Sequence, residues 1–481
     1  MGKKGLELVT LAAVAVFVFG ACGSSSATQA PQLSPIPSAA PVGTTVVRWF
    51  VGLGKGNDLS AVAAEKLFVR AYNASGTGIY INLEIVPSAS ARATLKAEIA
   101  NGVGPDIVGP VGDADRIGFS DAFMDLTPQI ASSGMDTSRY SSVLMNFFVQ
   151  PGGAQIGLPY LINPGFIFYN KDIFTRAGLP DLPTRVGDQW NGQDWTWDTL
   201  ATVAAQLTLD KNGKKSTDTG FDPANIVQYG LDFPWTDARR MASSWAAGSL
   251  VDPTGAAAIP DAWTAAWSWY YDAIWKNHIA PSSKVFNSAL LNYSSTVSSG
   301  RVAMALSWPW AIGTYGSLDA QGHSTAAFSN WDMAVLPTYN SRTSSPIDAD
   351  TFVILKGTAN PAAAFTAMLA IMANKNLQAA YGGMPVATAD QVAWFAGMDS
   401  SMATIFPNNK VSWSVLQEME NYPSNPGPDA ELPNGTDANQ VLSTFFARLQ
   451  GTSGLDMANE ISNLQSQLNQ TFTQASASPG N

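Results

Sequence analysis

The chain alternates between strand and helix periodicity soon after residue 43. Residues 46–51 form a short apolar run that predicts a buried strand, and 58–73 carry apolar residues at helical spacing. Every second residue is apolar over 79–85, which predicts another strand, and a helix near 91–100 precedes the strand-like PDIVG that begins at Pro105. This β-α-β-α order favours an α/β fold with a mostly parallel sheet covered by helices on both faces. The first helix is expected to bury one face, formed by Ala64, Leu67, Phe68, Ala71 and Tyr72.

The stretch 158–180, LPYLINPGFIFYNKDIFTRAGLP, predicts a loop, a strand, a turn and a helix in that order. Residues 166–169 are aromatic or β-branched and are typical of a buried strand. Asn170 can cap the helix that follows, and Gly178 can end that helix in a left-handed conformation. The Pro-Gly pair before the strand breaks regular structure, so a bend is expected there.

Two further helical patterns occur later in the chain. One apolar face is formed by Trp263, Trp267, Tyr270 and Ile274, and we expect it to pack in the core rather than to contact a ligand. The C-terminal helix has apolar residues at spacings of four, three, four and four, namely Met457, Ile461, Leu464, Leu468 and Phe472.

The first 43 residues have the composition of an export signal followed by a tether. Two lysines at positions 3 and 4 precede uncharged apolar or small residues over 8–21, a stretch too short to span a bilayer as a helix. Cys22 is the only cysteine of the chain, and it sits where a bacterial lipoprotein signal places the residue that receives lipid. We therefore expect 1–21 to be the signal and 22–43 to be a lipidated cysteine with a flexible Ser, Ala and Pro tether.

Length and charge limit the remaining function classes. The 481 residues, 46% of them hydrophobic, can bury a large core and predict two or three domains. The formal net charge is −11, and loss of the signal with its two lysines and one glutamate makes it −12, so nucleic acid is not an expected partner.

The sequence has few residues or motifs that indicate catalysis or a cofactor. The chain has only two histidines and no zinc-protease, serine-hydrolase or phosphate-loop pattern, so neither a metal nor a cofactor is expected. The glycine-rich GLGKGND at 52–58 is expected to direct polar groups at a cleft. The segment 210–218, DKNGKKSTD, is similar to the start of a calcium loop but lacks its closing glutamate, which favours an ordinary turn. A carboxylate pair for glycoside hydrolysis stays possible among 37 acidic residues.

Five segments in a fixed order resemble a known family. They are GVGPDIVGPVGDADRIGFSDAFMDLTPQI (102–130), LPYLINPGFIFYNKDIF (158–174), SSGRVAMALSWPWAI (298–312), WDMAVLPTY (331–339) and YGGMPVA (381–387). Over about 44–475 the chain is similar to the extracellular solute-binding proteins of ATP-driven (ABC) importers, in the group typified by maltose-binding protein. It departs from that pattern at 184–195 and in a polar, proline-rich segment at 421–439.

The resemblance implies an α/β, two-lobed periplasmic-binding-protein fold with the ligand cleft between the lobes. Lobe 1 is expected to contain 44–161 and 352–396, and lobe 2 is expected to contain 165–348 and 405–481. The chain would then cross between lobes several times, near 161–165, 348–352 and 397–404.

The resemblance also implies candidate ligand contacts. Asp113 follows the strand PDIVG, where a carboxylate points into the usual crevice of an open α/β sheet, although a helix cap is the competing role. Asn163 lies at the first crossing, where an amide suits hydroxyls but also suits a turn. Trp310 in WPWAI matches the stacking tryptophan of the family. The other candidates are Trp235, Asp237, Asp348, Asp350, Lys55, Asp58 and Trp413.

The sequence thus predicts a receptor rather than an enzyme. It is expected to be a monomer, anchored outside the cytoplasm to the cell membrane through lipid on Cys22. Its ligand would be an oligosaccharide or glycoside, delivered unchanged to the permease subunits of an ABC importer. A different solute, such as a polyamine or a phosphodiester, and a secreted glycosidase are the alternatives.

Overall fold

The computed structural model describes residues 40–54, 56–57, 59–150, 152–293, 295–425, 427 and 432–477. The predicted signal, Cys22 and most of the tether lie outside these residues, as do Lys55 and Asp58. The backbone of Asp113 is described, but its side chain is not. Residues 40–481 form one compact unit.

The first lobe is built on a six-stranded mixed sheet. Its strands lie side by side in the order β13 (Met384–Pro385), β4 (Leu158–Asn163), β12 (Asp348–Ile354), β3 (Ile107–Val111), β1 (Thr45–Val51) and β2 (Ile79–Ile85). β1 runs parallel to β2 and β3, whereas β12 is antiparallel to β3 and β4, and β13 is antiparallel to β4.

Two sequence predictions about this sheet are wrong. The sheet is not mostly parallel, because β12 lies between β3 and β4 and runs against both, and β13 runs against β4. The predicted loop at 158–163 is β4, all six residues of which are buried. A strand covered on both faces has no alternation of polar and apolar residues, and Pro159 further obscures it.

Helices cover both faces of the first sheet. They are α1 (Leu59–Ala74), α2 (Ser88–Ala100), α3 (Asp113–Gly118), α4 (Thr127–Ser133), α5 (Ser142–Asn146), α11 (Pro361–Met372) and α12 (Lys375–Tyr381). The predicted face of α1 is corrected, since Leu67 is 47% exposed and Ala71 is exposed as well. The buried face is one position away, at Ala61, Glu65, Phe68 and Val69. A buried glutamate among these residues hid the true face from a purely hydrophobic pattern.

The second lobe contains a three-stranded antiparallel sheet. Its strands are β10 (Met304–Ser307), β5 (Phe166–Asn170) and β11 (Trp331–Ala334), with β5 in the middle. The segment 229–232 extends the sheet beside β10 through parallel bridges.

The remaining helices are α6 (Lys171–Ala177), α7 (Trp197–Leu207), α8 (Ala238–Ser243), α9 (Asp261–Trp275), α10 (Ser283–Phe286), α13 (Thr388–Met402), α14 (Ser414–Met419), α15 (Gly435–Gly451) and α16 (Met457–Ala477).

The remaining strands form two small hairpins. β6 (Gln189–Trp190) pairs with β7 (Gln193–Asp194) inside the segment that departs from the family pattern, and β8 (Leu209–Asp210) pairs with β9 (Ile226–Gln228). The side chain of Asp210 accepts hydrogen bonds from the backbone N–H groups of Asn212 (2.8 Å) and Lys214 (2.9 Å). Its oxygens thus hold a turn, which confirms the prediction for 210–218.

Local predictions for three helices are confirmed. Asn170 Oδ1 accepts from the N–H groups of Asp172 (3.0 Å) and Ile173 (3.2 Å), so it caps α6. Gly178 ends α6 at φ 68° in the left-handed region. The predicted face of α9 is buried, and α16 packs its apolar residues against the core. Within the described residues, no helix is both long enough and apolar enough to cross a bilayer.

Two crossings between the sheets lie against each other. Pro164 and Gly165 connect β4 to β5, and residues 345–347 lead into β12. The Gly165 N–H donates to Ser345 Oγ over 3.0 Å. A side chain at Gly165 would meet the Pro346 ring at 3.1 Å, so the close approach of the two crossings favours glycine at this position.

Candidate functional site

Strand register places several candidates at one edge of the first sheet. Asn163, at the end of β4, is paired with Asp348 at the start of β12. Thr351 in β12 pairs with Val111, the last residue of β3, and α3 begins at Asp113 immediately beyond it. The crossings leave from this edge toward the second lobe. Asn163, Asp348 and the backbone of Asp113 therefore lie where a ligand of an open α/β sheet binds.

The facing edge of the second lobe brings together two of the three predicted tryptophans, Trp235 and Trp310. Asp232 forms a parallel bridge with Ala305 in β10. Parallel segments end at the same edge, so Trp235, three residues after Asp232, comes close to Trp310, five residues after Ala305. β5 also enters the sheet at this edge, where Phe166 pairs with Ser307.

Three tryptophans form an aromatic corner, made of Trp235, Trp308 and Trp310. The rings of Trp308 and Trp310 are stacked, with centroids 5.7 Å apart and planes 9° from parallel. The ring of Trp235 meets that of Trp310 at 5.4 Å and 70°. Trp308 is fully buried and donates its indole N–H to Pro346 O (2.8 Å), so it acts as a support. Trp235 is 39% exposed and has φ 59°, an uncommon conformation for a bulky residue.

A polar bridge, made of Asp237, Arg240 and Asp348, adjoins the aromatic corner. The Trp310 indole N–H donates to Asp348 Oδ2 over 3.0 Å. The Arg240 guanidinium donates to Asp348 Oδ1 (2.9 Å) and to Asp237 Oδ2 (2.7 Å). Since Asp348 begins β12 and Arg240 lies in α8, the polar bridge joins the first sheet to α8 beside the crossing.

Asp237 has a second role as a helix cap. Its Oδ1 accepts from the backbone N–H groups of Arg239 (2.8 Å) and Arg240 (2.9 Å) at the start of α8. Sequence reasoning identified Asp237 but missed Arg240. The signal for Arg240 was its position three residues after Asp237, a spacing at which oppositely charged side chains pair on a helix.

Several buried polar side chains lie behind the edge of the first sheet that carries Asn163 and Asp348. Among them, only Asp350 was named from the sequence. The Tyr381 hydroxyl donates to Glu65 Oε1 over 2.9 Å, although Glu65 is fully buried. Burial raises the pKa of Tyr160 well above its usual value, and the negative charges of Asp350 and Glu65 add to this effect. A side chain at Gly56 would lie 2.7 Å from Glu65 Oε1, so the glycine-rich loop covers this group closely.

Two candidates of the first edge are largely buried. Asp350 is 9% exposed, and its carboxylate lies against Gly112, next to Asp113. Asn163 is 3% exposed, and among the described residues its Oδ1 has no hydrogen-bond partner. An amide oxygen in this state costs about 1–3 kcal/mol, so a ligand hydroxyl that reached it would be bound favourably.

Trp413 is placed elsewhere, in the apolar core. It is 6% exposed, its ring stacks on Phe395 at 6.1 Å, and its indole N–H donates to Asp399 Oδ1 (2.7 Å). Its surroundings also include Trp331 and Trp394. Trp413 therefore packs among aromatic side chains of the core, and its contact with a ligand stays a prediction.

The site offers flat aromatic surfaces beside charged hydrogen-bonding groups. Carboxylates accept and the guanidinium donates in planar, paired geometry. Within the part of the chain that the structure describes, no group of His, Cys, Asp and Glu side chains could hold a metal ion. The arrangement is therefore suited to holding a polar ligand.

Comparison with known proteins identifies the family. The sequence matches the family model of bacterial extracellular solute-binding proteins over residues 68–393. No match is found among curated protein sequences.

Solved structures show the same two-lobed fold. M. tuberculosis UspC is 20% identical with a TM-score of 0.66, over 89% of this chain and 100% of that chain. A sugar transporter from Rhizobium etli, in an open conformation, is 18% identical with a TM-score of 0.66, over 88% and 99%. The sugar-binding protein MalE from Xanthomonas citri is 16% identical with a TM-score of 0.64, over 90% and 98%. At these identities the likeness shows the fold alone. Because the family model spans well over half of the sequence, the chain belongs to the bacterial extracellular solute-binding proteins.

Proposed function

We propose that this protein binds a carbohydrate, an oligosaccharide or a glycoside, between the two edges and delivers it unchanged to an ABC importer. The observation that carries the proposal is the contact of the aromatic corner with the polar bridge through Trp310 and Asp348. The C–H faces of a pyranose pack on an indole, and its hydroxyls pair with carboxylates and guanidinium groups. The aromatic surface and the charged groups adjoin here, because Trp310 and Asp348 share a hydrogen bond.

The charges of the polar bridge argue against a phosphodiester or a polyamine at this part of the site. Arg240 contacts two carboxylates, those of Asp237 and Asp348, so its positive charge is already compensated. A phosphodiester requires uncompensated cations, and a polyamine requires carboxylates free of a cationic partner. Neither requirement fits the polar bridge.

The structural relatives support a sugar as the ligand. Besides MalE, they include a Listeria monocytogenes protein in complex with cycloalternan and a cyclic maltosyl-maltose binding protein from Arthrobacter globiformis. We extend that ligand class to this chain. The proposed contacts are Trp235 and Trp310 for stacking and the polar groups Asp113, Asn163, Asp237, Asp348 and Asp350, with Lys55 and Asp58 on the glycine-rich loop.

A thermal-shift screen of the purified protein against sugars, polyamines and phosphodiesters tests the ligand class. A ligand at about 100 times its dissociation constant should stabilise the protein by roughly 2.7 kcal/mol. Stabilisation by a polyamine or a phosphodiester, and by no sugar, would contradict the proposal. The bound sugar should be recovered chemically intact after denaturation, whereas a glycosidase would return it cleaved.

We also propose that lipid on Cys22 anchors the protein to the outer side of the cell membrane, with 23–43 as its tether. In a host that processes lipoproteins, the native protein should partition with membranes, and Cys22→Ala should not. Ser24→Ala, a change two residues away in the tether, is the matched control and should stay with membranes. Recovery of the native protein entirely in the soluble fraction would contradict the anchor.

A further inference from the structure

A cavity of about 260 Å³ lies beside the aromatic corner, in the second lobe. Trp235 forms part of its wall and also contacts Trp310, so the corner and the cavity share a residue. The other walls come from the segment after Asp232, from α9 and α10, and from the end of α15. Pockets for drug-sized ligands measure about 300–1,000 Å³, so this cavity suits a single ring rather than a chain.

The walls of the cavity combine aromatic and polar side chains. Trp235, Tyr270 and Phe286 supply aromatic surface, while Thr236, Asn287 and Gln450 supply hydroxyl and amide groups. The Gln450 amide N–H donates to the Tyr270 hydroxyl over 2.9 Å, which fixes the amide against the aromatic wall. Such a mixture fits a compact ring with hydroxyls at its rim better than it fits a purely apolar group.

Two buried polar atoms belong to residues of the cavity wall. Asp232 is 3% exposed, and its Oδ1 accepts from the Phe233 N–H (2.8 Å). The Asp232 carboxylate also has a hydrogen bond with the Thr296 hydroxyl, whereas among the described residues Thr236 Oγ1 has no hydrogen-bond partner. Buried polar groups are normally paired, so Thr236 Oγ1 marks a place in the cavity wall where polar contacts are incomplete.

We infer that this cavity is a subsite for one additional sugar ring, and that the ligand is an oligosaccharide whose end extends past Trp235. The inference rests on the proposed carbohydrate function and adds the length of the ligand to it. A ring that stacks at the corner and a ring in the cavity share Trp235 as a common wall. Affinity is therefore expected to rise when the oligosaccharide gains the ring that enters the cavity.

The test uses calorimetric titration with a homologous series, from one ring to five, of whichever sugar stabilises the protein in the thermal-shift screen. Asn287→Trp places a bulky side chain at the exposed rim of the cavity. Asn277→Trp is the matched control, because Asn277 is also exposed but lies outside the cavity wall. Phe286→Ala is a second variant, which removes aromatic wall instead of filling space.

For the wild type and Asn277→Trp, affinity should rise at least tenfold between one member of the series and the next, which has one more ring. Asn287→Trp should lose this gain while binding the shorter members with unchanged affinity, and Phe286→Ala should reduce it. The inference is overturned if Asn287→Trp keeps the gain, if the wild type shows no gain, or if an aryl glycoside produces the gain and an added sugar ring does not. Failure of every sugar in the screen would overturn the carbohydrate function itself, which is a separate result.

Discussion

At the scale of single residues, two tryptophans that are two positions apart have different environments. Trp308 has no exposed surface and holds Pro346 through its indole N–H. Trp310 is only partly buried, and one of its faces lies against Trp308. The face of Trp310 that lies against Trp308 is closed to a ligand, and Trp235 is more exposed than Trp310. We propose that Trp235 and Trp310 share the stacking role.

Replacing these tryptophans should separate binding from folding. Trp310→Ala should weaken sugar affinity at least tenfold, about 1.4 kcal/mol, because it removes stacking surface and the contact with Asp348. Trp308→Ala should instead lower the free energy of unfolding by about 3–5 kcal/mol, because it empties a buried site. Calorimetric titration and denaturant unfolding of both variants would show this. Unchanged affinity in folded Trp310→Ala would exclude the stacking role.

At the scale of elements, short polar contacts decide where helices begin and how they join. Asn170 caps α6 immediately after β5. Near the end of the first sheet, the Gln391 amide N–H group donates both to Pro385 O (3.1 Å) in β13 and to Glu420 Oε2 (2.8 Å) after α14. Gln391 thus ties a strand of the first sheet to a helix that packs on the second.

The cap of α6 can be tested by substitution. Asn170→Ala should lower the free energy of unfolding by about 0.5–2 kcal/mol, because two backbone N–H groups at the helix start lose their acceptor. Asn170→Ser retains a capping oxygen and should cost less. Urea denaturation of the two variants makes the comparison, and equal losses would contradict a capping role.

The stability of the α13–α14 junction should depend on pH. Burial raises the pKa of Glu420 from 4.5 to about 7, and the hydrogen bond from Gln391 only partly offsets this. Because the folded state holds the proton more tightly than the unfolded state, Glu420 lowers stability as pH rises from about 4.5 to about 7. Glu420→Gln removes this dependence, since the amide cannot ionise.

Unfolding free energies of wild type and Glu420→Gln, measured between pH 4 and pH 8, would test this expectation. The variant should become the more stable protein as pH rises, by on the order of 3 kcal/mol at the upper end. Glu418→Gln, two residues earlier, is a control in the same segment. A difference between wild type and Glu420→Gln that stays constant with pH would contradict the titration of Glu420.

At the scale of the whole molecule, the crossings are tied together and joined to the site. Ser345 accepts from Gly165 N–H and pairs through its backbone with residues 422–424. The polar bridge then links α8 to β12 beside these crossings. The third predicted crossing, 397–404, is helical up to Met402. Relative movement of the two edges would therefore require backbone changes at few positions.

Ligand binding is expected to close the two lobes about the crossings near 161–165, 348–352 and 397–404. Small-angle X-ray scattering should show a smaller radius of gyration at saturating sugar, because hinge closure brings the facing edges together. Trp310→Ala at the same sugar concentration is the control and should contract less. A radius that does not change at saturation would contradict closure.

The sequence by itself determined the local structure. Hydrophobic periodicity and capping residues predicted β1, β2, β5, α6, α9 and α16, because such signals act within a few residues. The order of its motifs pointed to the family and to two lobes. The resemblance to the family pattern also named most of the candidate residues that lie at the two facing edges.

Tertiary structure alone decided how those elements combine. β4 and β12 lack alternation, and β12 runs against both β3 and β4, which depends on the crossings rather than on any local pattern. The same holds for the burial of Glu65, the partnership of Arg240 with Asp348, and the different exposure of Trp235 and Trp413. Each depends on contacts between residues far apart in the chain, and periodicity carries no information about such contacts.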